Sequence, residues 1–276
     1  MRYNMPEIAE VETVRNVLKS QILNKQITKI DVYYPKMIEN NIEEFQKSLI
    51  NSKFVDIKRR GKYLLFETSK YYLISHLRME GKYFFSTAAE PKSKHEHIRF
   101  TFDDDTSLRY EDVRKFGRMH LVSKNKLETD VGVSKQGVEA NSKDLTGEYI
   151  YTKIKAKSLP MKTILLDQTI ISGLGNIYAD EVLYYAKISP LKKGKDINID
   201  ECQRIAEGSI KIINNAIKYG GTTIRSYTSS LGVTGHYQDY LKVHTKANQK
   251  CQICGNMIKK IKIGGRSTYY CEKCQK

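Results

Sequence analysis

Four cysteines near the C-terminus constrain the fold more than any other feature of this sequence. Cys251 and Cys254 form one Cys-x-x-Cys pair, and after sixteen intervening residues Cys271 and Cys274 form a second pair. Two such pairs at this separation present four thiolates to one tetrahedral Zn²⁺, and the residues between them form a hairpin. Because four thiolates leave no coordination position for water or substrate, we expect one structural zinc ion.

Two disulfide bonds are the alternative interpretation of these cysteines. A fifth cysteine, Cys202, lies far from the other four, and the start of the sequence has no signal-peptide pattern. Both observations favour a reducing compartment, in which thiols stay reduced and can bind a metal. We therefore expect a cytoplasmic protein with a zinc finger.

The segment that contains the four cysteines is also strongly basic. From Leu241 to Lys276 there are nine Lys and Arg residues against Glu272 alone, a net charge of +8 out of +16 for the whole chain. No apolar run is long enough to cross a bilayer, and the expected partner is a polyanion. Nucleic acid fits better than a membrane, because the basic segment has no apolar face that would bind lipid. A solvated basic surface is the alternative.

The first half of the chain has the pattern of a β-rich domain. Short runs rich in β-branched and aromatic residues recur between turn signals, which predicts a β-sandwich or a barrel. We expect eight strands, at 27–34, 54–60, 63–68, 71–76, 82–86, 97–102, 107–111 and 119–121. Ahead of them, Pro6 and Glu7 suit the first turn of a helix that packs on the sheet. Its apolar positions are Ile8, Val11, Val14, Leu18 and Ile22.

The second half of the chain has the pattern of a helical domain. After a polar stretch at about 130–143, helical periodicity predicts helices at 145–157, 162–166, 176–186 and 199–219. A glycine-rich Ile-Ser-Gly-Leu-Gly-Asn segment at 171–176 leads into one of them. Backbone N–H groups at such a helix start suit a phosphate, although a plain tight turn is the alternative. Next to a basic finger, the segment favours binding to a DNA backbone.

Six separated motifs follow one another along nearly the whole chain. They are Met5-Pro6-Glu7-Ile8-Ala9-Glu10-Val11-Glu12-Thr13-Val14, Arg60-Gly61-Lys62-Tyr63-Leu64, Ser75-His76-Leu77-Arg78-Met79-Glu80-Gly81, Arg114-Lys115-Phe116-Gly117, Gly173-Leu174-Gly175-Asn176-Ile177-Tyr178-Ala179 and Gly265-Arg266-Ser267-Thr268-Tyr269-Tyr270-Cys271. In this order the motifs resemble those of the formamidopyrimidine-DNA glycosylases. Six motifs in register are more specific than the cysteine pairs, which many unrelated zinc ribbons share.

The resemblance implies an α+β fold in four segments. These are an N-terminal helix with a catalytic β-sandwich at 1–130, a linker at 131–144, a helix-two-turn-helix DNA-binding domain at 145–238 and a zinc finger at 239–276. It also implies a monomer that binds double-stranded DNA containing oxidised purines, at the bacterial nucleoid during repair.

The resemblance implies a reaction as well. Members of the family remove 8-oxoguanine and formamidopyrimidines and then cut the abasic strand by β,δ-elimination, with the secondary amine of an N-terminal proline as nucleophile. Matched by motif, that proline is Pro6. Glu7 matches the acid/base for the sugar ring oxygen, Glu10 a second carboxylate of the same site, and Lys62 a lysine that contacts the lesion phosphate and assists elimination. Without the other motifs, Pro6 and Glu7 would indicate only a helix start.

The sequence departs from the family pattern at its start, because Met1-Arg2-Tyr3-Asn4 precedes Met5-Pro6. An internal proline nitrogen belongs to an amide and has neither basicity nor nucleophilicity. We expect translation to begin at Met5, whose removal leaves Pro6 as the first residue. A DNA-binding relative without the reaction is the alternative. Two smaller departures lie at 137–140 and 243–246.

The resemblance also implies a set of DNA contacts. Arg266, counted with the catalytic residues, and Asn176 match a pair that clamps phosphates, and His76 matches a further phosphate contact. Met79, Arg114 and Phe116 match the triad that fills the void left by the extruded nucleotide, although a Met and a Phe in a β-domain are usually core residues. The remaining matches are Thr222, Thr223 and Tyr227, in a loop that closes over the base, and Lys162, near the active site.

Two other functions are alternatives. A glycosylase for oxidised pyrimidines belongs to the same superfamily, but the Arg-x-Phe spacing of Arg114 and Phe116 and the Thr222-Thr223 loop resemble the purine branch. A zinc-ribbon protein that only binds DNA or RNA would need the basic finger. It would have no use for the Pro-Glu start or for the Arg-x-Phe pair.

Overall fold

The computed structural model describes residues 5–222 and 235–276, which form two compact units. The N-terminal unit extends to Ser134, and the C-terminal unit begins at Lys135 and includes the described residues from His236 to Lys276. Among the described residues, no helix has both the length and the apolar character needed to cross a bilayer.

The N-terminal unit begins with helix α1 (Ile8–Ile22) and contains two four-stranded sheets and a second helix, α2 (Ile42–Leu49). The strands are β1 (Ile27–Val32), β2 (Asp56–Arg60), β3 (Tyr63–Glu67), β4 (Tyr71–His76), β5 (Lys82–Thr87), β6 (Glu96–Phe102), β7 (Thr106–Glu111) and β8 (Arg118–Ser123). Their order is β1-β6-β7-β5 in one sheet and β2-β3-β4-β8 in the other, and all pairs are antiparallel.

One hydrophobic core joins both sheets to α1, so the β-rich region is a sandwich, one of the two architectures that the sequence predicts. Phe100 of β6 and Phe66 of β3 are both fully buried in this core, and Phe54 contacts both rings. Helix α1 adds the apolar residues spaced three or four apart, which are Val11, Val14, Leu18 and Ile22. Helix α2 was not predicted from the sequence. Its N-cap is Asn41, whose side chain accepts a hydrogen bond from the N–H of Glu44.

The C-terminal unit contains four main helices, two short strands and a hairpin. The N-terminal unit ends in the short helix α3 (Val131–Ser134), and the helices that follow are α4 (Gly147–Ile154), α5 (Met161–Leu165), α6 (Asn176–Ala186) and α7 (Ile199–Lys218). Strands β9 (Val138–Glu139) and β10 (Ile171–Ser172) pair in parallel, and β11 (Lys259–Ile263) and β12 (Arg266–Tyr270) form the hairpin between the cysteine pairs. The predicted helices and hairpin are confirmed.

Candidate catalytic and nucleic-acid-binding site

Pro6 and Glu7 lie directly before helix α1. Pro6 is buried, and Glu7 and Glu10 are only 2% and 3% exposed. The N–H of Glu7 donates to Oε2 of Glu10 at 2.9 Å, and the Glu7 side chain accepts from the Glu10 N–H, which completes a capping box. The helix N-terminus also favours negative charge. Two buried carboxylates therefore lie beside the proline at the start of α1.

Lys62 lies in the two-residue turn between β2 and β3. Gly61 has a φ of 55°, which suits the first central position of a tight hairpin turn. The Arg59 side chain holds this turn against α1, because its Nε donates to Glu12 at 2.7 Å and its Nη1 donates to the Gly61 carbonyl at 2.9 Å. Lys62 itself is buried, with 5% of its surface exposed.

The Glu12 carboxylate is the anchor for this hairpin. Burial alone would raise the pKa of Glu12, but hydrogen bonds and charges from Arg15 and Arg59 outweigh burial, so its pKa is lowered. An ionised Glu12 fixes both guanidinium groups, and Arg15 also donates to the Ile57 carbonyl of β2. No local sequence pattern indicated Arg59 and Glu12 as supports of Lys62.

His76 ends strand β4 opposite Tyr63, and the two ring centroids lie 4.6 Å apart, edge to face. The N–H of Arg78 donates to Nδ1 of His76 at 3.0 Å, so the ring proton is on Nε2. Burial, followed by the positive charges of Arg78 and Lys62, lowers the pKa of His76 to about 3. At neutral pH His76 is thus an uncharged donor, suited to one phosphate oxygen.

Met79, Arg114 and Phe116 are brought together by the turns that follow β4 and β7. Arg114 Nη1 lies 3.0 Å from the Met79 sulfur, and the Arg114 guanidinium lies 4.6 Å from the Phe116 ring centroid. Phe116 is 46% exposed, so it does not belong to the core. We call these three side chains the wedge. A projecting apolar group with a guanidinium in it suits insertion into a base stack.

In the C-terminal unit, a buried network links helix α6 to the finger. Asp180 accepts the Lys162 ammonium at 2.6 Å on Oδ1 and the His244 ring at 2.7 Å on Oδ2. The Lys162 ammonium also donates to the Asn176 carbonyl at 2.7 Å, and all three side chains of the ion-paired cluster are buried. Asn176 Nδ2 donates to the Ser267 carbonyl at 2.9 Å. This hydrogen bond holds the start of α6 against strand β12.

Glu181 makes a second link between α6 and the segment before the finger. Its carboxylate accepts the backbone N–H groups of Lys242, Val243 and His244 at 2.8 to 3.0 Å. Burial raises the pKa of Glu181, against the effect of these three hydrogen bonds. The altered 243–246 segment is therefore anchored on two neighbouring acidic residues of one helix.

Arg266 begins strand β12, after a turn made of Gly264 and Gly265. These glycines have φ values of 54° and 75°, which a type I′ hairpin turn requires and which side chains rarely adopt. Arg266 is exposed at the tip of the hairpin. Its planar guanidinium can bind two phosphate oxygens at once.

The four cysteines lie together at the base of this hairpin. Their sulfurs are all within 4.8 Å of one another, with Cys251 and Cys274 at 3.8 Å and Cys254 and Cys271 at 3.4 Å. A tetrahedral Zn²⁺ with bonds of about 2.3 Å places its sulfurs about 3.8 Å apart, whereas a disulfide needs about 2.05 Å. The donor set therefore fits zinc, and all four thiols are free of disulfides.

A tyrosine supports one of these zinc ligands. The Tyr184 hydroxyl of α6 lies 3.2 Å from the Cys251 sulfur. Burial would raise the pKa of Cys251, but hydrogen bonds from Tyr184 and from the backbone of the cysteine turn lower it to about 6. A lowered thiol pKa favours the thiolate that binds zinc.

Comparison with known proteins assigns the chain to a family. Residues 5–119 match the N-terminal domain of formamidopyrimidine-DNA glycosylase, residues 136–228 match its H2TH domain, and residues 248–276 match the zinc finger found in FPG and IleRS. The chain belongs to the formamidopyrimidine-DNA glycosylase family.

Relatives in this family are similar over their full length. The formamidopyrimidine-DNA glycosylase of Lactobacillus johnsonii is 46% identical over 272 residues, covering 98% of this chain and 99% of the relative. That of Streptococcus mutans is 44% identical, covering 99% of this chain and 100% of the relative. Lactococcus lactis Fpg in complex with abasic-site DNA has a TM-score of 0.92 and 41% identity, covering 98% of this chain and 99% of that chain.

For this glycosylase-family member, the structure describes most but not all of the predicted site. Thr222 is buried at 8% exposure, whereas Thr223 and Tyr227 lie outside the described residues. The Lys162 ammonium is buried in the Asp180 network. Its predicted contact with DNA stays a prediction. Family membership and the cysteine cluster establish one structural zinc ion.

Proposed function

We propose that this chain excises oxidised purines from duplex DNA and then cleaves the abasic strand, with Pro6 as the nucleophile of the mature protein. The observation that carries the proposal is the assembled wedge, in which Arg114 contacts both Met79 and Phe116. The Arg-x-Phe spacing of this pair resembles that of the purine branch of the superfamily. A Lactococcus lactis FPG variant, whose structure was solved in complex with Fapy-dG DNA, superposes on this chain with a TM-score of 0.93.

The chemistry requires an amine beside an acid. A proline α-amine has a pKa near 8, so part of it is unprotonated at neutral pH and can attack C1′ of the damaged nucleotide. The N–C1′ bond forms while the bond from C1′ to the base breaks, and the base leaves with a proton. The nitrogen then loses its proton, and the bond from C1′ to the ring oxygen O4′ breaks as O4′ takes a proton, which gives a ring-opened iminium. This iminium acidifies C2′–H, so loss of that proton expels the 3′ phosphate. A second elimination expels the 5′ phosphate.

Residues of the N-terminal unit would assist each step. The Glu7 carboxyl, buried beside Pro6, would move a proton at the sugar ring oxygen. Lys62, in the turn that Arg59 holds through the Gly61 carbonyl, would contact the lesion phosphate and stabilise its departure. His76 would donate its Nε2 proton to a neighbouring phosphate.

Residues of the C-terminal unit would supply phosphate binding. Arg266 would bind phosphate at the finger tip. Asn176 would bind phosphate beside it, because its amide donates to the carbonyl of Ser267, the residue directly after Arg266. We also assign the loop that contains Thr222, Thr223 and Tyr227 to closure over the base. We also propose that the chain has the four segments 1–130, 131–144, 145–238 and 239–276. The protein would be a monomer that acts at the nucleoid in the cytoplasm.

One specific observation favours a second function, DNA binding without the reaction. In the present sequence the Pro6 nitrogen lies in a peptide bond to Met5, and residues 1–4 precede it. The family match nevertheless begins at residue 5, which supports Met5 as the start of translation and Pro6 as the first residue after its removal.

Intact mass and covalent trapping separate the two functions. We expect the protein expressed from Met5 to have the mass of a chain that starts at Pro6, and borohydride to trap it on an 8-oxoguanine duplex. The chain that retains residues 1–4 is the matched control and should not be trapped. Absence of a trapped complex with a verified Pro6 terminus contradicts the proposed mechanism.

A further inference from the structure

The turn that carries two of the three wedge residues is organised around one buried carboxylate. Asp112, directly after β7, is 1% exposed. Its Oδ1 accepts the N–H of Arg114 at 2.9 Å, and its Oδ2 accepts the N–H groups of Phe116 and Gly117 at 2.9 and 2.8 Å. Hydrogen bonds to an ionised acceptor are about twice as strong as neutral ones. Three of them on one side chain fix the path of the whole turn.

Asp112 is in turn fixed to the sandwich through its backbone. Its N–H donates to the His95 carbonyl at 3.1 Å, and its carbonyl accepts from His97 Nε2 at 2.8 Å. The turn also holds Lys115 at a φ of 59°, in the left-handed region that a side chain rarely adopts. Such a backbone persists only where the surrounding structure imposes it. The Asp112 carboxylate accepts the N–H groups of the residues on both sides of Lys115, which are Arg114 and Phe116.

The turn that carries Met79 is packed against the same place. Gly81 and Gly117 both face the hydroxyl of the buried Tyr110, so closely that a Cβ would lie 2.0 Å from it at Gly81 and 1.8 Å at Gly117. One tyrosine of β7 therefore fits between the two turns that meet in the wedge. A side chain at either glycine would therefore clash with Tyr110 and displace its turn.

We propose that Asp112 is a positioning residue for base extrusion, which holds Arg114 and Phe116 in their inserting conformation before DNA arrives. The inference rests on the proposed function. Extruding a nucleotide costs a few kcal/mol of stacking and pairing. If the wedge had to be ordered when DNA binds, the loss of conformational entropy of its turn would add to that cost. A turn already held by Asp112 avoids this further cost.

The test is Asp112→Asn in the full-length zinc-bound protein. The amide keeps the shape of the side chain but turns an NH₂ group towards backbone donors, so at least one of the three hydrogen bonds is lost. We expect single-turnover excision of 8-oxoguanine opposite cytosine to fall about tenfold or more. Cleavage of a preformed abasic site, which has no base to unstack, should change by less than about threefold.

A double-mutant cycle separates positioning from a purely structural role. In a background that already carries Arg114→Ala and Phe116→Ala, Asp112→Asn should have no further effect on excision, because nothing is left to position. Equal losses in both backgrounds, or equal losses on both substrates, would overturn the proposal. Asp104→Asn is the matched control. Its carboxylate accepts from the Thr106 N–H at the opposite end of β7, and the variant should excise at the parental rate.

Amide hydrogen exchange in the free parental protein keeps the proposal testable even if the variant folds poorly. The N–H groups of Phe116 and Gly117 should be protected although the Phe116 ring is exposed. Rapid exchange at both would overturn the inference. If the parental protein and Asp112→Asn both excise normally, the positioning role is refuted and the proposed function is not. If the parental protein does not excise, the proposed function is refuted.

Discussion

The wedge of the N-terminal unit and the hairpin of the finger are both exposed turns on strand ends, but different forces hold them. The wedge turns rest on a sandwich core, and the Asp112 carboxylate fixes the turn that carries Arg114 and Phe116. The finger hairpin has a small apolar cluster whose members include Cys251 and Cys271 themselves. Where the core is large, side-chain hydrogen bonds are enough to shape a turn. Where it is small, a metal ion must close it.

The largest expected effect is that of removing the metal. Cys251→Ser, or chelation of zinc, should abolish tight DNA binding because the turn that presents Arg266 loses its support. The sandwich should stay folded, since its core contains no cysteine. Binding isotherms with a lesion duplex, run beside circular dichroism, check both statements. Cys202→Ser, which changes a cysteine outside the cluster, is the control. Tight DNA binding by the metal-free protein would contradict the statement that zinc holds the finger hairpin.

Glu7→Gln should affect only the reaction, which sharpens the contrast between the chemistry of the N-terminal unit and the phosphate binding of the C-terminal unit. Loss of an acid/base group lowers rates by about 10²–10⁴-fold. DNA binding should be kept or tightened, because a carboxylate that repels phosphate is removed. Single-turnover excision of 8-oxoguanine beside equilibrium binding measures both. Excision at the parental rate would remove Glu7 from its proposed role.

Arg266→Ala should weaken binding to lesion and undamaged DNA alike, since a phosphate contact has no base specificity. The slope of log K against log salt should fall by about one unit. Asn176→Ala should also weaken both, but with an unchanged slope, because an amide carries no charge. Isotherms at several salt concentrations distinguish the two variants. An unchanged slope for Arg266→Ala contradicts the phosphate assignment.

The smallest effect concerns His76 and the stability of the N-terminal unit at low pH. The pKa of His76 is lowered to about 3 in the folded protein, below its ordinary value, so the unfolded chain binds more protons between these values. His76 therefore destabilises the fold as pH falls from about 6.5 towards 3. His76→Gln should lose less thermal stability than the parent between pH 7 and pH 4. Equal losses would show that the ring is protonated in the folded state.

Much of the fold follows from local patterns. The eight strands, helix α1 and the four main helices of the C-terminal unit appear where periodicity predicts them, because burial of one face imposes the same spacing in any context. Helix α2 was missed although Asn41 caps it and Phe45 and Leu49 recur at helical spacing. The eight-residue helix is too short for its period to stand out among β-branched neighbours.

The candidate site was predicted less completely, because several supporting residues act through distant partners. Arg59 holds the Lys62 turn through Glu12, which is 47 residues away in the sequence. Lys162 matched a family position, but its sequence does not reveal that its ammonium is buried against Asp180. A lysine has the same local pattern whether it is solvated or paired inside the protein.

The sequence by itself determined the zinc ligands, the sandwich strands and the order of the motifs. Metal geometry and side-chain periodicity depend on spacings of a few residues, which a sequence displays directly. Only the tertiary structure decided that Asp112 gathers the wedge turn, that Tyr110 fits between Gly81 and Gly117, and that Asp180 joins Lys162 to His244. Those contacts depend on backbone directions and on chain segments up to tens of residues apart, and folding alone brings them together.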